Sequence, residues 1–162
     1  MAPIRAYYLP ADSASATDTS RPVSVEKLDA LGWKTTFIGS SGDELEKAAR
    51  NQMVALLTKI LHSESSDICT TKDSVAVVTS GSPYVHVEDV ITKAWIQLDI
   101  VPGTFIHFPA GAKFRLTFNE NNRKAAAIVF FKETIHNQGL LAKDEIENHP
   151  IRQAYLNTQA LG

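Results

Sequence analysis

Over 112–117 and 84–88 polar and apolar positions alternate with period two, within a second half of the chain made of short strand-like runs. Short β-branched and aromatic runs occupy 74–79, 84–88, 95–101, 104–108, 112–118 and 125–131. Turn signals separate them: Gly81-Ser-Pro83, Pro102-Gly103, Pro109-Ala-Gly111 and Asn119-Glu-Asn-Asn122. Many short strands at regular spacing predict a β-sandwich or barrel. The first half is mixed. A strand is predicted over 4–9, and a Ser/Thr/Ala/Asp-rich loop runs from Asp12 to Pro22. Ser24 is placed to cap a short helix through Leu31, which Gly32 ends. A further strand is predicted over 34–38. The longest helical pattern opens at Asp43 and runs to about Leu61, with Leu45, Ala48, Ala49, Val54, Leu57 and Leu61 at helical spacing. After Asp144 the texture is helical again, and Pro150 suits a helix first turn.

The strand over 112–117 sets which side faces inward. Lys113 and Arg115 alternate with Ala112, Phe114 and Leu116. Successive side chains of a strand point to opposite faces. The charged pair faces water, so Phe114 and Leu116 are expected in the interior. The same reasoning applied to 84–88 puts Val85 and Val87 inward and His86 toward solvent.

Composition narrows the class. A chain of 162 residues is expected to form one domain, 1–162. The apolar fraction of 44% and charged fraction of 21% are ordinary for a water-soluble fold. Net charge is −2 and the pI is near 6.2, so neither nucleic acid nor an anionic membrane is an expected partner. A single cysteine, Cys69, leaves no internal disulfide framework. Met1-Ala-Pro-Ile-Arg-Ala-Tyr-Tyr8 lacks the apolar core of a signal peptide, and no apolar run approaches the ~20 residues that span a bilayer. The expectation is a cytoplasmic, reducing environment.

Residues 103–114 read Gly103-Thr-Phe-Ile-His-Phe-Pro109-Ala-Gly111-Ala-Lys-Phe114. This is the G-x5-P-x-G-x2-H pattern of a cupin barrel, with Phe114 in place of its final histidine. The chain resembles the acireductone dioxygenases, cupin enzymes of methionine salvage. Ser24-Val-Glu-Lys-Leu-Asp-Ala-Leu-Gly32 is similar to that family's early helix, and Gly81-Ser-Pro-Tyr-Val-His-Val-Glu-Asp89 to its G-S-G-Y-F-D-V-R-D. Trp95-Ile, Arg115-Leu-Thr, Asn122 with Lys124-Ala, and His149-Pro-Ile-Arg-Gln-Ala-Tyr155 continue the likeness. The resemblance implies a mainly β fold: a single jelly-roll barrel with flanking N-terminal and C-terminal helices.

The resemblance also implies where the chemistry should sit, and there the chain departs. The family binds Fe or Ni through H-x-H-x3-E and the last histidine of the second motif. Counting from Gly81, those positions are Ile68, Thr70, Ser74 and Phe114. The family's substrate-binding Arg falls on Ala76, and its pocket Phe on Leu116. Neither a metal nor another cofactor is therefore expected. A shifted alignment would bring in His62 and Glu64, but His62 suits the end of the long helix, and a lone His-x-Glu is a poor Fe(II) site.

The remaining candidates follow from residue chemistry. Thr70 and Ser74 carry hydroxyls able to bond a ligand's polar group, or simply a water. Ala76, Phe114 and Leu116 complete an apolar cup. His107 is a candidate general base, since an imidazole near its ordinary pKa suits proton transfer; the plainer reading is a partly buried side chain bonded to backbone. Cys69 is expected on the face opposite Thr70 as a small hydrophobe, and Asp73 away from the interior. Three functions compete: a metal-independent isomerase, lyase or cyclase acting on an apolar small molecule of secondary metabolism; a non-catalytic binder or regulator; and a dioxygenase with a rearranged metal site. The expected partner is a small molecule in the barrel, and the oligomeric state is left open.

Overall fold

The computed structural model describes residues 4–9, 21–37, 54–55, 67–81, 84–117, 126–131 and 140–161. Eleven strands and two α-helices lie within them. The strands are β1 (Arg5–Tyr8), β2 (Thr35–Phe37), β3 (Val54–Ala55), β4 (Ile68–Thr70), β5 (Ser74–Ser80), β6 (Tyr84–Glu88), β7 (Trp95–Asp99), β8 (Thr104–Phe108), β9 (Lys113–Thr117), β10 (Ala126–Phe131) and β11 (Leu140–Ala142). Helix α1 spans Val25–Ala30 and α2 spans Pro150–Leu161.

All strand pairings are antiparallel. One six-stranded sheet has the order β1-β7-β6-β9-β4-β11, and a five-stranded sheet has the order β2-β8-β5-β10-β3. The period-two pattern decides what lies between them. Val85, Val87, Ile96, Leu98, Ile100 and Phe114 from the larger sheet join Ala76, Val78, Ile106 and Phe108 from the smaller in one apolar core. Burying each large side chain of this kind contributes about 1.5–3 kcal/mol. Trp33, Leu28 and Leu31 close the core from the α1 side.

Local signals placed both helices. The Ser24 hydroxyl accepts from Lys27 N at 3.2 Å, satisfying a donor that the helix itself leaves open. Gly32 follows in the left-handed region at φ +90, as a helix-ending glycine does. At α2, Pro150 takes the first position and His149 Nδ1 accepts from Ile151 N at 3.2 Å.

The second motif's glycine has a packing role. Gly111 has φ +84, and a Cβ there would lie 2.3 Å from Ile151 O and 2.8 Å from Tyr155 Cβ. Helix α2 therefore seats directly on the Pro109–Gly111 turn. Arg152, 2% exposed, secures it through Gly111 O at 3.1 Å and Glu88 Oε2 at 2.6 Å. Tyr155 OH donates to Leu31 O at 2.8 Å, tying α2 to the end of α1.

Two expectations need correction. The helical pattern from Asp43 to about Leu61 does not continue through Val54–Ala55. Those residues form β3, pairing with Phe130 and Val129 of β10; the rest of that stretch lies outside the described residues. His86 is on the outer face as parity requires, but it is buried at 4% exposure. Its Nε2 lies 3.1 Å from Gln97 Oε1, and Gln97 Nε2 donates to Asp99 Oδ1 at 3.0 Å. Because the Gln97 amide nitrogen is turned to Asp99, its oxygen faces His86, so the imidazole carries its proton on Nε2.

Candidate functional site

Strand β9 delivers Phe114 to the interior. Its neighbours Lys113 and Arg115 point the other way, Lys113 to Glu147 at 2.9 Å and Arg115 to Asp67, with the Arg115 guanidinium 3.9 Å above the Trp95 ring. Phe114 is buried, and its Cα partners are Ile68 on β4 and Val87 on β6. The Phe114 ring lies 4.9 Å from Phe108 and 5.8 Å from Trp33, and Trp33 lies 5.2 Å from Phe108. Tilted and edge-on contacts of this kind contribute about 0.5–1.5 kcal/mol each beyond area burial. The three rings form the centre of the site.

The sequence-derived candidates gather around that centre. Ser74 is the cross-strand partner of Phe108, and Ala76 of Ile106, so both share the interior face of the smaller sheet. Leu116 pairs with Val85 and packs against the same core. Thr70 lies two residues beyond Ile68 on β4, which puts the two side chains on one face. It is buried, and its carbonyl accepts from Gly111 N at 2.9 Å. Thr70, Ser74, Ala76, Phe114 and Leu116 are thus brought together, with Ile68 among them.

All of these side chains are uncharged. Two polar atoms near them are fully enclosed and have no hydrogen-bond partner among the described residues: Thr70 Oγ1 and Trp33 Nε1. A buried polar group left unpaired costs about 1–3 kcal/mol.

His107 does not join the group. It pairs with Val75 on the face opposite Ser74 and Phe108, and its Nδ1–H donates to Gly32 O at 3.0 Å. The candidate general base therefore lies outside the interior, because strand parity separates it from Ile106 and Phe108, and its bond to Gly32 fits the plainer reading of a partly buried side chain bonded to backbone. Cys69 is fully buried on the face away from Thr70. Burial pushes its thiol up, against the opposing pull of nearby Arg152. Asp73 accepts from Ala110 N at 2.8 Å at the surface. His62, Glu64 and His136 lie outside the described residues. Among the described residues no group of three or more His, Cys, Asp or Glu is placed to hold a metal ion, and no helix is long and apolar enough to cross a membrane.

Pattern reading missed Trp33 and Phe108 as parts of the site. Phe108 was within reach, since it shares parity with Ile106 on β8. Trp33 sits between the helix-ending Gly32 and β2, where no periodicity applies.

Two antiparallel sheets closed around one apolar core, with the Pro109–Gly111 turn beneath the C-terminal helix, define a cupin jelly-roll barrel. A solved structure described as acireductone dioxygenase from Bacillus anthracis with cadmium ion in active center has the same fold: TM-score 0.56, 13% identity, 81% of this chain and 94% of that one. No family model matches the chain. Its sequence is 26% identical to acireductone dioxygenase 1 of Coprinopsis cinerea, over 98% of this chain and 99% of the relative. The acireductone dioxygenase of Branchiostoma floridae is likewise 26% identical, over 98% of each chain, and that of Danio rerio 26%, over 86% and 84%. The chain thus has a cupin fold and is similar to acireductone dioxygenases over nearly its whole length.

Proposed function

We propose that this cupin has left the family's metal-dependent reaction and uses its barrel, without a metal, to bind a small and mostly apolar organic molecule. The observation that carries this reading is the side-chain chemistry at Ile68, Thr70, Ser74 and Phe114, which occupy the positions equated with the family's ligands. They offer two hydrocarbons and two neutral hydroxyls. Iron, nickel and related ions select imidazole, carboxylate or thiolate donors, so this set does not fit such a metal.

Ala76 removes the charge that the family places beside its substrate, and Leu116 keeps that wall apolar. An apolar site with a few hydrogen-bonding groups suits an uncharged ligand. The outward position of His107 favours a binding or regulatory protein over an isomerase, lyase or cyclase, because those reactions gain most from a base within reach of the ligand. A shape-driven reaction with no side-chain base is the second reading, supported by Thr70 and Ser74 sharing the interior.

The test is metal analysis of the purified full-length chain, before and after anaerobic reconstitution with Fe(II) or Ni(II), alongside oxygen uptake with acireductone. Metal far below one ion per chain and no oxygen uptake are expected. One tightly held ion together with acireductone turnover would restore the dioxygenase assignment.

A further inference from the structure

We infer that the outer face of the larger sheet carries an acid-operated clasp: a proton on His86 drives the Arg115 guanidinium from its seat against Trp95 and Asp67 and frees the short strand β4, one wall of the interior. The inference rests on the outer face and does not depend on the metal-free reading.

The geometry is that of a span. In the larger sheet β6 lies between β7 and β9. Trp95 is on β7 and Arg115 on β9, yet the Arg115 guanidinium lies 3.9 Å from the centre of the Trp95 ring. That contact therefore crosses β6. His86 is the Cα partner of Arg115 on one side and of Gln97 on the other, so it shares their face beneath the crossing. Arg115 has a second hold, because its Nε donates to Asp67. Asp67 directly precedes β4, a strand of three residues that meets β9 at Ile68 with Phe114 and at Cys69 with Lys113. One side chain thus ties β7, β9 and the start of β4 together. Ile68 and Thr70 carry that tie to the interior.

The charges around His86 make an added proton disruptive. Its Nε2–H already donates to Gln97, so the new proton goes to Nδ1. Arg115 faces it from β9, with Lys113 two residues before. Gln97 and Asp99 come from β7, Tyr84 and Glu88 from β6 itself, and Tyr7 and Arg5 of β1 stand opposite Gln97 and Asp99. The carboxylates of this face are engaged: Asp99 by Gln97, Glu88 by Arg152 and Asp67 by Arg115. An imidazolium therefore meets the guanidinium while these carboxylates already serve other donors, and like charges so close repel. Arg115 is the partner able to yield, since its side chain is 28% exposed and can turn to water, whereas His86 is 4% exposed and fixed in a central strand. Burial, opposed by the Gln97 bond and reinforced by Arg115, holds the imidazole below its ordinary 6.5. The clasp is closed at neutral pH and opens as pH falls below that value.

The experiment follows the full ¹⁵N-labelled chain by NMR from about pH 7.5 to about pH 5.5, a range that spans the ordinary imidazole value. There are two indole N–H signals, from Trp33 and Trp95, which a Trp95→Phe variant assigns. The Trp95 signal should move in one step below 6.5 while that of Trp33 stays. Amide hydrogen exchange, corrected for its intrinsic pH dependence, should quicken roughly tenfold at Ile68, Cys69 and Thr70 but not at Val77 or Ile106 of the smaller sheet. His86→Gln should keep β4 protected at both pH values, and Arg115→Gln should leave it exchanging fast at both. A stationary Trp95 signal, equal quickening in the smaller sheet, a response that survives in His86→Gln, or protected β4 amides in Arg115→Gln would each overturn the clasp.

Discussion

The barrel interior and the outer face of the larger sheet are both buried, yet they are built from opposite materials. Inside, Trp33, Phe108, Phe114 and Ile68 meet as hydrocarbon, with two hydroxyls and an indole N–H as the polar groups. Outside, two buried polar groups form: His86 with Gln97 and Asp99, and Glu88 with Arg152, Lys113 and Glu147. Residues able to hold a metal or move a proton are thus plentiful on the outer face and missing from the described interior. The frame of the fold is retained through its outer network, where Arg152 and Gly111 seat α2. The centre is where, in the reading proposed above, this chain departs from the metal chemistry of the acireductone dioxygenases it resembles.

The largest expected difference between the two regions lies at Phe114. Phe114→Ala leaves a cavity between Ile68, Val87 and two rings, and should cost about 3–5 kcal/mol in chemical denaturation. A loss below about 1 kcal/mol would mean that the centre collapses readily and is not a packed aromatic cluster.

On the outer face, Glu88→Gln leaves the Arg152 guanidinium buried without its nearest carboxylate, 2.6 Å away. Glu147 offers partial compensation at 3.6 Å. We expect a loss of about 2–3 kcal/mol, at the lower edge of what breaking a buried ion pair costs. Glu88→Leu combined with Arg152→Met should recover part of it, since removing both charges also removes the need to compensate either. A double variant as unstable as the sum of its singles would show that the pair is not coupled.

Acid should separate the regions more gently. Burial holds the His86 imidazole below its ordinary 6.5; the Gln97 bond opposes this, and Arg115 adds to it. The unfolded chain therefore binds more protons than the folded one between the folded value and 6.5. Stability is full above that window and declines as pH falls through it. Asp89 and Glu147 act lower. Burial alone would raise Asp89, but bonds from Tyr8, Lys27, Thr92 and Ile91 outweigh it; Lys113 holds Glu147 down. Their contributions are present above their ordinary 3.8 and 4.5 and are lost on further acidification. Urea midpoints measured against pH should fall in two stages, and His86→Gln should remove the upper stage alone. An unchanged upper stage in that variant would place the titration elsewhere.

Much of this arrangement was legible in the chain. Runs of β-branched and aromatic residues between turn signals located β5 through β10 within a residue or two, and the parity of Lys113, Phe114 and Arg115 put the phenyl ring inside. Short strands escaped it. Ile68-Cys-Thr70 is too brief to show a period, and Val54–Ala55 sits in a stretch whose Leu and Ala spacing reads as helix. Parity also names a face without saying what covers it. That is why His86 was expected in solvent and is instead packed among Gln97 and Arg115. His107 shows the same limit from the other side. Its chemistry suited the interior, but its neighbours Ile106 and Phe108 had already claimed that face. Trp33 had no periodic context at all, so only the folded chain brings it to Phe114.

The central claim is that Ile68, Thr70, Ser74 and Phe114 stand where the family's metal would be held. It is tested most directly by Co(II) titration followed by visible absorption. The natural chain is compared with a variant carrying Ile68→His, Thr70→His, Ser74→Glu and Phe114→His together. The natural chain should take up no Co(II), and the fourfold variant should bind one ion with a d–d spectrum of nitrogen and oxygen ligation. Tight stoichiometric Co(II) binding by the natural chain, unchanged in the variant, would place the metal site elsewhere and contradict the account.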